Sequence, residues 1–159
     1  MAGEKTLKGK LEILFIYCPI KNAEGTAVAA NYFPLGCLTT NDISKTVETQ
    51  DGTITKCDLS PEPTYGRKSY QLTYEAVAVE NDGLKASYDA VSEAMDDAHA
   101  NEKPIYWKIE TTLSGGTKET KFGKGIMTEL SRTAPVEGEI TYSGTIIGIG
   151  EISNTDLHV

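Results

Sequence analysis

The region that most constrains the fold lies near the C-terminus, where a turn-rich segment precedes one long strand. Residues 131–138 contain Pro135, which lacks a backbone N–H, and the pair Glu137-Gly138, which favours a chain reversal. Residues 139–153 then alternate between two faces, as a β-strand does. One face carries Ile140, Tyr142, Gly144, Ile146, Gly148, Gly150 and Ile152, and the other carries Thr141, Ser143, Thr145, Ile147, Ile149 and Glu151. Because glycine weakens a strand, the glycines on one face predict that another backbone or a helix packs closely against it.

The remaining pattern predicts a mainly β fold. We predict further strands over residues 11–17, 32–38, 69–79, 105–113 and 119–132. The first strand is almost continuously apolar, so we expect it to be buried on both faces, and we predict a loop over residues 21–31. Pro34 assigns the second strand to a sheet edge or a bulge, and Gly115-Gly116 predicts a hairpin turn. Trp107 lies on the apolar face of its strand and is expected in the core.

One helix is predicted over residues 84–101, with Asp82 as its N-cap. Its apolar stripe, spaced four and three residues apart, comprises Leu84, Tyr88, Val91, Met95 and Ala98, and a row of alanines beside it comprises Ala86, Ala90 and Ala94. Polar residues occupy the opposite side. We therefore expect the helix to lie flat on the sheet, and the glycine face of the last strand is the candidate surface for it.

Residues 39–68 are the least regular part of the chain. They are rich in Thr, Pro, Asp and Gly, which predicts either a long loop or a weak hairpin with a loop, whose tip would be Asp51-Gly52. Compact domains rarely carry so long a loop without a use for it.

The charge balance narrows the function classes. The chain has 159 residues, enough for one domain with a sizeable core, and its 23 acidic and 15 basic side chains give a net charge of −8. Phosphate binding depends on Lys and Arg, so this balance argues against a nucleic-acid binder but is compatible with a protein that surrounds DNA without gripping it. No segment approaches the roughly 20 apolar residues of a membrane-spanning helix, and Glu12 interrupts the only run that resembles a signal peptide. We expect synthesis in the cytoplasm.

The cysteines and histidines do not form a recognisable site. Cys18, Cys37 and Cys57 are odd in number and lack the close pairing of zinc ligands, so we expect reduced thiols. His99 lies near the predicted end of the helix, where it complements the helix dipole, and His158 lies in the C-terminal tail. Neither belongs to a nucleophile motif. We expect no enzyme, no metal and no cofactor.

Other polar and aromatic motifs have structural explanations. Asp96-Asp97 predicts a solvated helix face, because adjacent helical residues point in different directions. Glycines 115–116 and 123–125 predict a turn and a strand bulge, because neither has the spacing of a phosphate-binding loop. Tyr65 and Tyr106 are expected to be free to contact partners.

The C-terminal segment resembles a known hairpin. A strand ending in Ile-Met-Thr-Glu-Leu-Ser-Arg-Thr-Ala-Pro-Val (126–136) is followed by Glu137-Gly138 and by the strand Tyr-Ser-Gly-Thr-Ile-Ile-Gly-Ile-Gly (142–150). This arrangement resembles the C-terminal hairpin of the tail tube (major tail) proteins of long-tailed, non-contractile bacteriophages. The close match covers about residues 119–152, and the rest of the chain agrees in length and element order.

The resemblance implies an antiparallel β-sandwich or barrel with one flanking α-helix and a long loop. It implies a structural subunit of homohexameric rings that stack into a hollow tube in the virion tail and conduct DNA into the host. The implied partners are other copies of the chain, tail tip and tail terminator proteins, a tape measure protein inside the tube, and viral DNA that passes without specific binding; no membrane is implied. Residues 1–10 would be an N-terminal arm, 11–153 the tube domain with a stacking loop at 39–68, and 154–159 a C-terminal tail.

Two sets of residues are candidates for these roles. Glutamates on or beside strands are candidates for the lumen or a subunit interface: Glu75, Glu110, Glu129 and Glu139. The candidates for ring stacking are Asp42, Gln50, Asp51 and Tyr65. The alternative function is a monomeric β-sandwich module that binds a sugar or a peptide through the long loop and exposed tyrosines. A related tube, from a contractile tail or a secretion system, also stays open.

Overall fold

The computed structural model describes residues 5–50 and 64–158. After a short 3-10 turn at Gly9–Leu11, these residues form strands β1 (Glu12–Lys21), β2 (Ala27–Pro34), β3 (Leu38–Gln50) and β4 (Thr64–Val77), helix α1 (Tyr88–Ala100), and strands β5 (Ile105–Thr112), β6 (Lys118–Thr133) and β7 (Thr141–Gly148). The strands form one seven-stranded sheet in the order β2-β1-β5-β6-β7-β4-β3, and every neighbouring pair is antiparallel. The prediction of a mainly antiparallel β fold with one flanking helix is confirmed.

The sheet is curled, because its two edge strands are consecutive in sequence. Only residues 35–37 join the end of β2 to the start of β3, and so short a connection spans at most about 14 Å. The Leu35 N–H donates to the carbonyl oxygen of Leu14 at 3.1 Å, and the Asn41 side chain donates to the Glu12 carboxylate at 2.8 Å. A single sheet whose edges approach each other in this way corresponds to the barrel rather than to two separate sheets.

The core lies on the inner face of the curled sheet. Alternate residues of β1, β4, β5 and β7 are buried there, and Trp107 and Tyr142 are among the largest fully buried side chains. The predicted core position of Trp107 is confirmed. The prediction that the first strand is buried on both faces is wrong, because its outward residues include the exposed Ile13 and Pro19.

The glycines of the last strand accommodate tyrosine rings rather than the helix. A Cβ at Gly144 would lie 2.9 Å from Cε1 of Tyr74, and a Cβ at Gly148 would collide with the Tyr70 ring. The helix packs mainly on β1 instead, so the expected surface for it is wrong. The strand is also shorter than the predicted span 139–153, since it ends at Gly148, and Gly150 has a φ of +72° that is incompatible with extended backbone.

Helix α1 begins later than predicted. Ser87 is the N-cap and its side chain accepts from the Ala90 N–H at 3.3 Å, whereas Asp82 accepts from the N–H groups of Leu84 and Lys85 and forms a separate turn. Leu84 therefore lies outside the helix and is 71% exposed, against its predicted place in the apolar stripe. The rest of the buried surface agrees with the prediction and comprises Ala86, Ala90, Val91 and Ala98, with Tyr88, Ala94 and Met95 partly buried.

The predicted long loop at residues 39–68 is mostly strand. β3 and β4 pair from Leu38 opposite Ala76 to Gln50 opposite Thr64, so the hairpin alternative is confirmed, and its predicted tip at Asp51-Gly52 lies outside the described residues. β3 is an edge strand with mostly exposed positions, so it lacks the apolar alternation that reveals a strand. The second strand also starts earlier than predicted, at Ala27, inside the expected loop at 21–31.

The Tyr74–Gly144 contact gives a direct test of the inner face. Gly144→Ala should lower the free energy of unfolding by about 1–3 kcal/mol, because the added methyl group overpacks a site already filled by an aromatic ring. Gly115→Ala is the matched control, since nothing lies within 4 Å of the position that its Cβ would take, and it should change stability by less than about 0.5 kcal/mol. Urea unfolding of both variants measures the difference. Equal stability of the two variants would contradict the packing described.

Candidate functional site

The outer face of β3, β4, β7 and β6 carries two rows of acidic and hydroxyl side chains, which we name the acidic face. The first row, read across the four strands, is Asp42, Thr73, Thr145 and Glu129, and the second is Thr40, Glu75, Ser143 and Ser131. The Ser131 hydroxyl donates to the Glu129 carboxylate at 3.2 Å. Neither row contains a lysine or an arginine, so this surface repels an anion such as a phosphate group.

The structure brings Glu75 and Glu129 together on this face, and adds Asp42 to them. Asp42 is a residue of strand β3, so its predicted place in a loop is wrong, and it pairs with Thr73 beside Glu75. The sequence gives one signal for the face: Ser143 and Thr145 lie on the polar side of the last predicted strand. The residues of β3 that complete the acidic face could not be predicted, because the sequence of β3 does not show the pattern of a strand.

The other two glutamates lie elsewhere. Glu110 in β5 is only 17% exposed and forms ion pairs with Lys108 at 2.8 Å and Lys118 at 3.4 Å. Burial raises the pKa of Glu110, but hydrogen bonds and charge from the two lysines outweigh burial and lower its pKa below the usual value. Glu139 is exposed between β6 and β7, in a shallow depression that also includes Arg132.

Two of the remaining stacking candidates lie at the ends of the β3–β4 hairpin. Gln50 is the last residue of β3, and Tyr65 is the second residue of β4 and is 89% exposed, as expected for a residue free to contact a partner. Asp51 lies outside the described residues. These positions place both residues at the same end of the hairpin, beside the segment 51–63.

The outer face of β2, β1, β5 and β6 has a different chemistry. Its aromatic side chains, which we name the aromatic face, are Phe15, Tyr17, Tyr32, Tyr106 and Phe122. The Lys108 ammonium group lies 4.3 Å from the centre of the Phe15 ring, a cation–π contact. Sequence reasoning did not identify this cluster, because its members come from four separate strands.

The C-terminal segment covers the aromatic face. Ser153 and Phe122 exchange two backbone hydrogen bonds of 2.8 Å, the Tyr32 hydroxyl donates to Asp156 at 2.6 Å, and the His158 ring stacks on Tyr17 at 3.8 Å. Burial and the bond to Asp156 raise the pKa of Tyr32. Tyr106 also contacts His158 and is partly buried, so the expectation that it is free is wrong.

An apolar groove lies between the C-terminal end of α1, strand β6 and the residue Ile149 that follows β7. It encloses about 410 Å³, and its apolar lining comprises Met95, Ala98, Pro104, Ile105, Ile126, Met127 and Ile149. Ile126 is 57% exposed and Ile149 is 39% exposed, which is unusual for isoleucines in strands and their ends. The polar residues of its lining are Asp96, His99, Glu102 and Lys103, and Lys103 forms an ion pair with Asp97 at 2.7 Å.

Two observations concern reactive groups among the described residues: the state of the Cys18 thiol and the absence of a metal-binding cluster. Burial raises the pKa of the Cys18 thiol to about 12, so it is protonated and unreactive at neutral pH. Within residues 5–50 and 64–158, no three acidic, histidine or cysteine side chains are close enough to hold a metal ion. No helix in the described part of the chain is long and apolar enough to cross a membrane.

Comparisons with known proteins identify the fold through solved structures. No protein-family model matches the chain, and no curated protein matches it by sequence. The SPP1 tail tube subunit has a TM-score of 0.57 at 16% identity, with 91% of this chain and 77% of that chain covered. A tail subunit of an empty gene transfer agent particle, solved with C6 symmetry, has a TM-score of 0.59 at 15% identity, with 94% and 99% covered.

A third solved structure extends the likeness beyond phage tails. A chain of the six-fold symmetrised anti-feeding prophage (AFP) baseplate has a TM-score of 0.60 at 8% identity, with 96% of both chains covered. The class that these structures define is the tail tube fold, and this chain has that fold over most of its length. The resemblance to tail tube proteins drawn from the C-terminal hairpin is therefore confirmed.

The ion pairs of Glu110 predict a pH dependence of stability. A carboxylate whose folded-state pKa is lowered contributes stability above its unfolded pKa of about 4.3, and that stability is lost as the pH falls through the lower folded pKa. Glu110→Gln should lower the free energy of unfolding by about 1.5 kcal/mol at pH 7, because the charge-assisted hydrogen bonds to the lysines are lost. The effect is no larger because Lys118 is exposed, so water screens its ion pair with Glu110.

The difference between wild type and Glu110→Gln should shrink as the pH is lowered through the region of the folded pKa. Urea unfolding between neutral and acid pH measures it. The control is Glu24→Gln, which changes an exposed glutamate of the β1–β2 turn and should leave the pH profile of the wild type unchanged. A constant difference at all pH values would contradict the assigned ion pairs.

Proposed function

We propose that this protein is a structural subunit of a phage tail tube, without catalytic activity, that assembles into hexameric rings stacked into a hollow tube. The observation that carries the proposal is the likeness over more than 90% of the chain to subunits of the SPP1 tail tube and of a gene transfer agent tail. Two of the similar structures are described with six-fold symmetry, which supports the same number of subunits here.

The edges of the sheet support self-assembly. β3 is an edge strand of 13 residues, exposed along most of its length, and a long exposed edge can pair with a strand of another chain. A heterologous contact of this kind closes into a ring when the rotation between subunits allows it. Pairing between subunits would satisfy the outer backbone groups of β3 without any change in the fold of the subunit.

The acidic face is the surface that we assign to the lumen. It lies on β3 and its neighbours, so pairing through the β3 edge would continue this face from one subunit to the next. Six copies with a net charge of −8 each carry −48 per ring. A lumen lined by hydroxyl groups and carboxylates would let DNA pass, because it offers no cation to the phosphates.

Stacking of rings would use the ends of the subunit. The N-terminal arm of residues 1–10 and the segment 51–63, flanked by Gln50 and the exposed Tyr65, are the stacking elements that we propose. In a virion tail the tube would also meet the tail tip and tail terminator proteins and would enclose a tape measure protein. The subunit would be made in the cytoplasm of the host bacterium.

The alternative of a monomeric sugar- or peptide-binding module has less support. Such a module would need an accessible aromatic platform, and the aromatic face is covered by the chain's own C-terminal segment. The exposed Tyr65 alone does not form a platform.

Imaging of the purified full chain tests the proposed function. Size-exclusion chromatography and negative-stain electron microscopy should show rings or tubes with six-fold symmetry. A species of 17.2 kDa that stays monomeric at high protein concentration, and in the presence of other tail components, would overturn the proposal.

Charge reversal tests the assignment of the lumen. The triple variant Asp42→Lys, Glu75→Lys, Glu129→Lys should acquire affinity for duplex DNA, and this affinity should fall steeply with salt concentration because phosphate contacts release counterions. The matched control is Glu24→Lys, Glu80→Lys, Glu119→Lys, which reverses exposed acids elsewhere. Each reversal adds two charges, so both variants change the net charge from −8 to −2.

Fluorescence anisotropy with a duplex at several salt concentrations measures the binding. The wild type should not bind at physiological ionic strength, and the control should bind more weakly than the acidic-face variant. Salt-sensitive binding by the wild type, or equal binding by the two triple variants, would sink the assignment.

A further inference from the structure

The apolar groove at the end of α1 lacks a covering element within the described residues. Its floor includes the buried Ile105, while Ile126 and Ile149 in its wall keep 57% and 39% of their surface exposed. Ile126 pairs directly with Ile147, which is also 39% exposed, so the apolar surface continues past the groove. A contiguous exposed apolar surface of this kind marks an interaction site.

The N-terminal arm offers a complementary segment. Leu7 is 66% exposed and is flanked by Lys5, Lys8 and Lys10. The rim of the groove carries two exposed acids, Asp96 and Glu102, together with His99 and Lys103, and the Lys103 ammonium group is already paired with Asp97 at 2.7 Å. An apolar side chain among lysines therefore matches an apolar groove with acidic groups at its edge, in both polarity and charge.

The arm cannot occupy the groove of its own subunit. Glu12, where the arm joins β1, pairs with Thr111 near the end of β5, whereas the groove lies at the start of β5, at Ile105. Six residues of strand separate these points, a distance of about 20 Å. The five residues from Leu7 to Glu12 span at most about 18 Å even when fully extended, and the 3-10 turn at Gly9–Leu11 shortens this to about 13 Å. An arm that fills this groove therefore belongs to another copy of the chain.

We propose that Leu7 of one subunit inserts into the apolar groove of a second subunit, with the neighbouring lysines opposite Asp96 and Glu102. Because the arm and the groove lie at opposite ends of β5, the contact is head-to-tail and can repeat from copy to copy without limit. This inference rests on the proposed tube and assigns the contact that links successive rings. It gives the N-terminal arm a specific receptor on the neighbouring subunit.

Substitutions on the two sides test the contact. Leu7→Asp and Ile126→Asp should each raise the protein concentration needed for tube formation by about tenfold or more, because each removes one buried aliphatic contact and introduces a charge. The control is Leu84→Asp, which changes a leucine that is 71% exposed near the opposite end of α1, and should form tubes as the wild type does. Circular dichroism melting checks that each variant is folded.

Site-directed cross-linking tests the same contact when a charged variant fails to fold. In a background with Cys37→Ser and Cys57→Ser, a Leu7→Cys protein is mixed with a tagged Ile126→Cys protein under mild oxidation. A disulfide-linked dimer of mixed mass should form, and each of these proteins alone should not give it. Leu7→Cys mixed with Leu84→Cys is the control and should give no cross-link.

The outcomes separate this inference from the proposed function. Tubes of normal length formed by Leu7→Asp, together with no cross-link between positions 7 and 126, would overturn the contact and leave the tube intact. Absence of any ring or tube in the wild type would overturn the proposed function and the contact with it.

A charge-swap experiment tests the pairing at the rim: Lys8→Glu should weaken assembly, and adding Glu102→Lys should restore it if the two residues face each other. Lack of rescue would count against the charge pairing at the rim.

Discussion

The short connection between the two edge strands is the constraint on which the rest of the structure depends. Residues 35–37 link β2 at one edge to β3 at the other, so the sheet has to curl until the end of β2 lies near the start of β3. The curl creates an inner face that excludes water, and Glu12 stabilises it by accepting bonds from Asn41 of β3 and Thr111 of β5. A flat sheet with the same strands would leave Trp107 and Tyr142 without partners across the interior. The glycines at 144 and 148 then become necessary, because a small curled interior leaves no room for both a tyrosine ring and a facing side chain.

Sequence patterns predicted those parts of the fold whose burial is one-sided and regular. β5 alternates strictly between buried and half-buried residues, and the last strand places Tyr142, Gly144 and Ile146 inward, so both were recognisable. β3 was not recognisable, because an exposed edge strand has no apolar periodicity. The first strand was misjudged for the opposite reason: two of its outward residues are aromatic and covered by distant parts of the chain. Tyr17 lies under His158 of the C-terminal segment and Phe15 under the Lys108 ammonium group, and no local pattern encodes such long-range contacts. The start of α1 was misplaced because Asp82 forms a turn of its own before the true N-cap, Ser87.

The candidate site could be predicted only as a charge balance, not as a surface. A net charge of −8 suggested a surface that repels DNA, but the residues that form the acidic face come from four strands whose order in the sheet differs from their order in the chain. Glu75 and Glu129 lie on that face because β7 lies between their strands and sets their register. Glu110 resembles them in sequence context, yet two lysines neutralise it. Register and ion pairing, which are tertiary properties, therefore decide which acids can act together.

The division of the outer surface into an acidic face and a covered aromatic face is compatible with very low sequence identity to other proteins of the same fold. The proposed hollow tube would require a curled sheet, strand edges that can pair, and an inner surface without exposed cations, and many residue combinations satisfy these conditions. The solved structures that share this fold are only 8–16% identical to the chain, at TM-scores of 0.57–0.60. Residues that bind a specific partner tolerate fewer substitutions, because an apolar anchor, its groove and the charges at the rim have to change together. The proposed contacts between copies, such as the arm in the groove, would therefore be the part of the surface most specific to this chain, and they would let subunits select their own kind among proteins of the same fold.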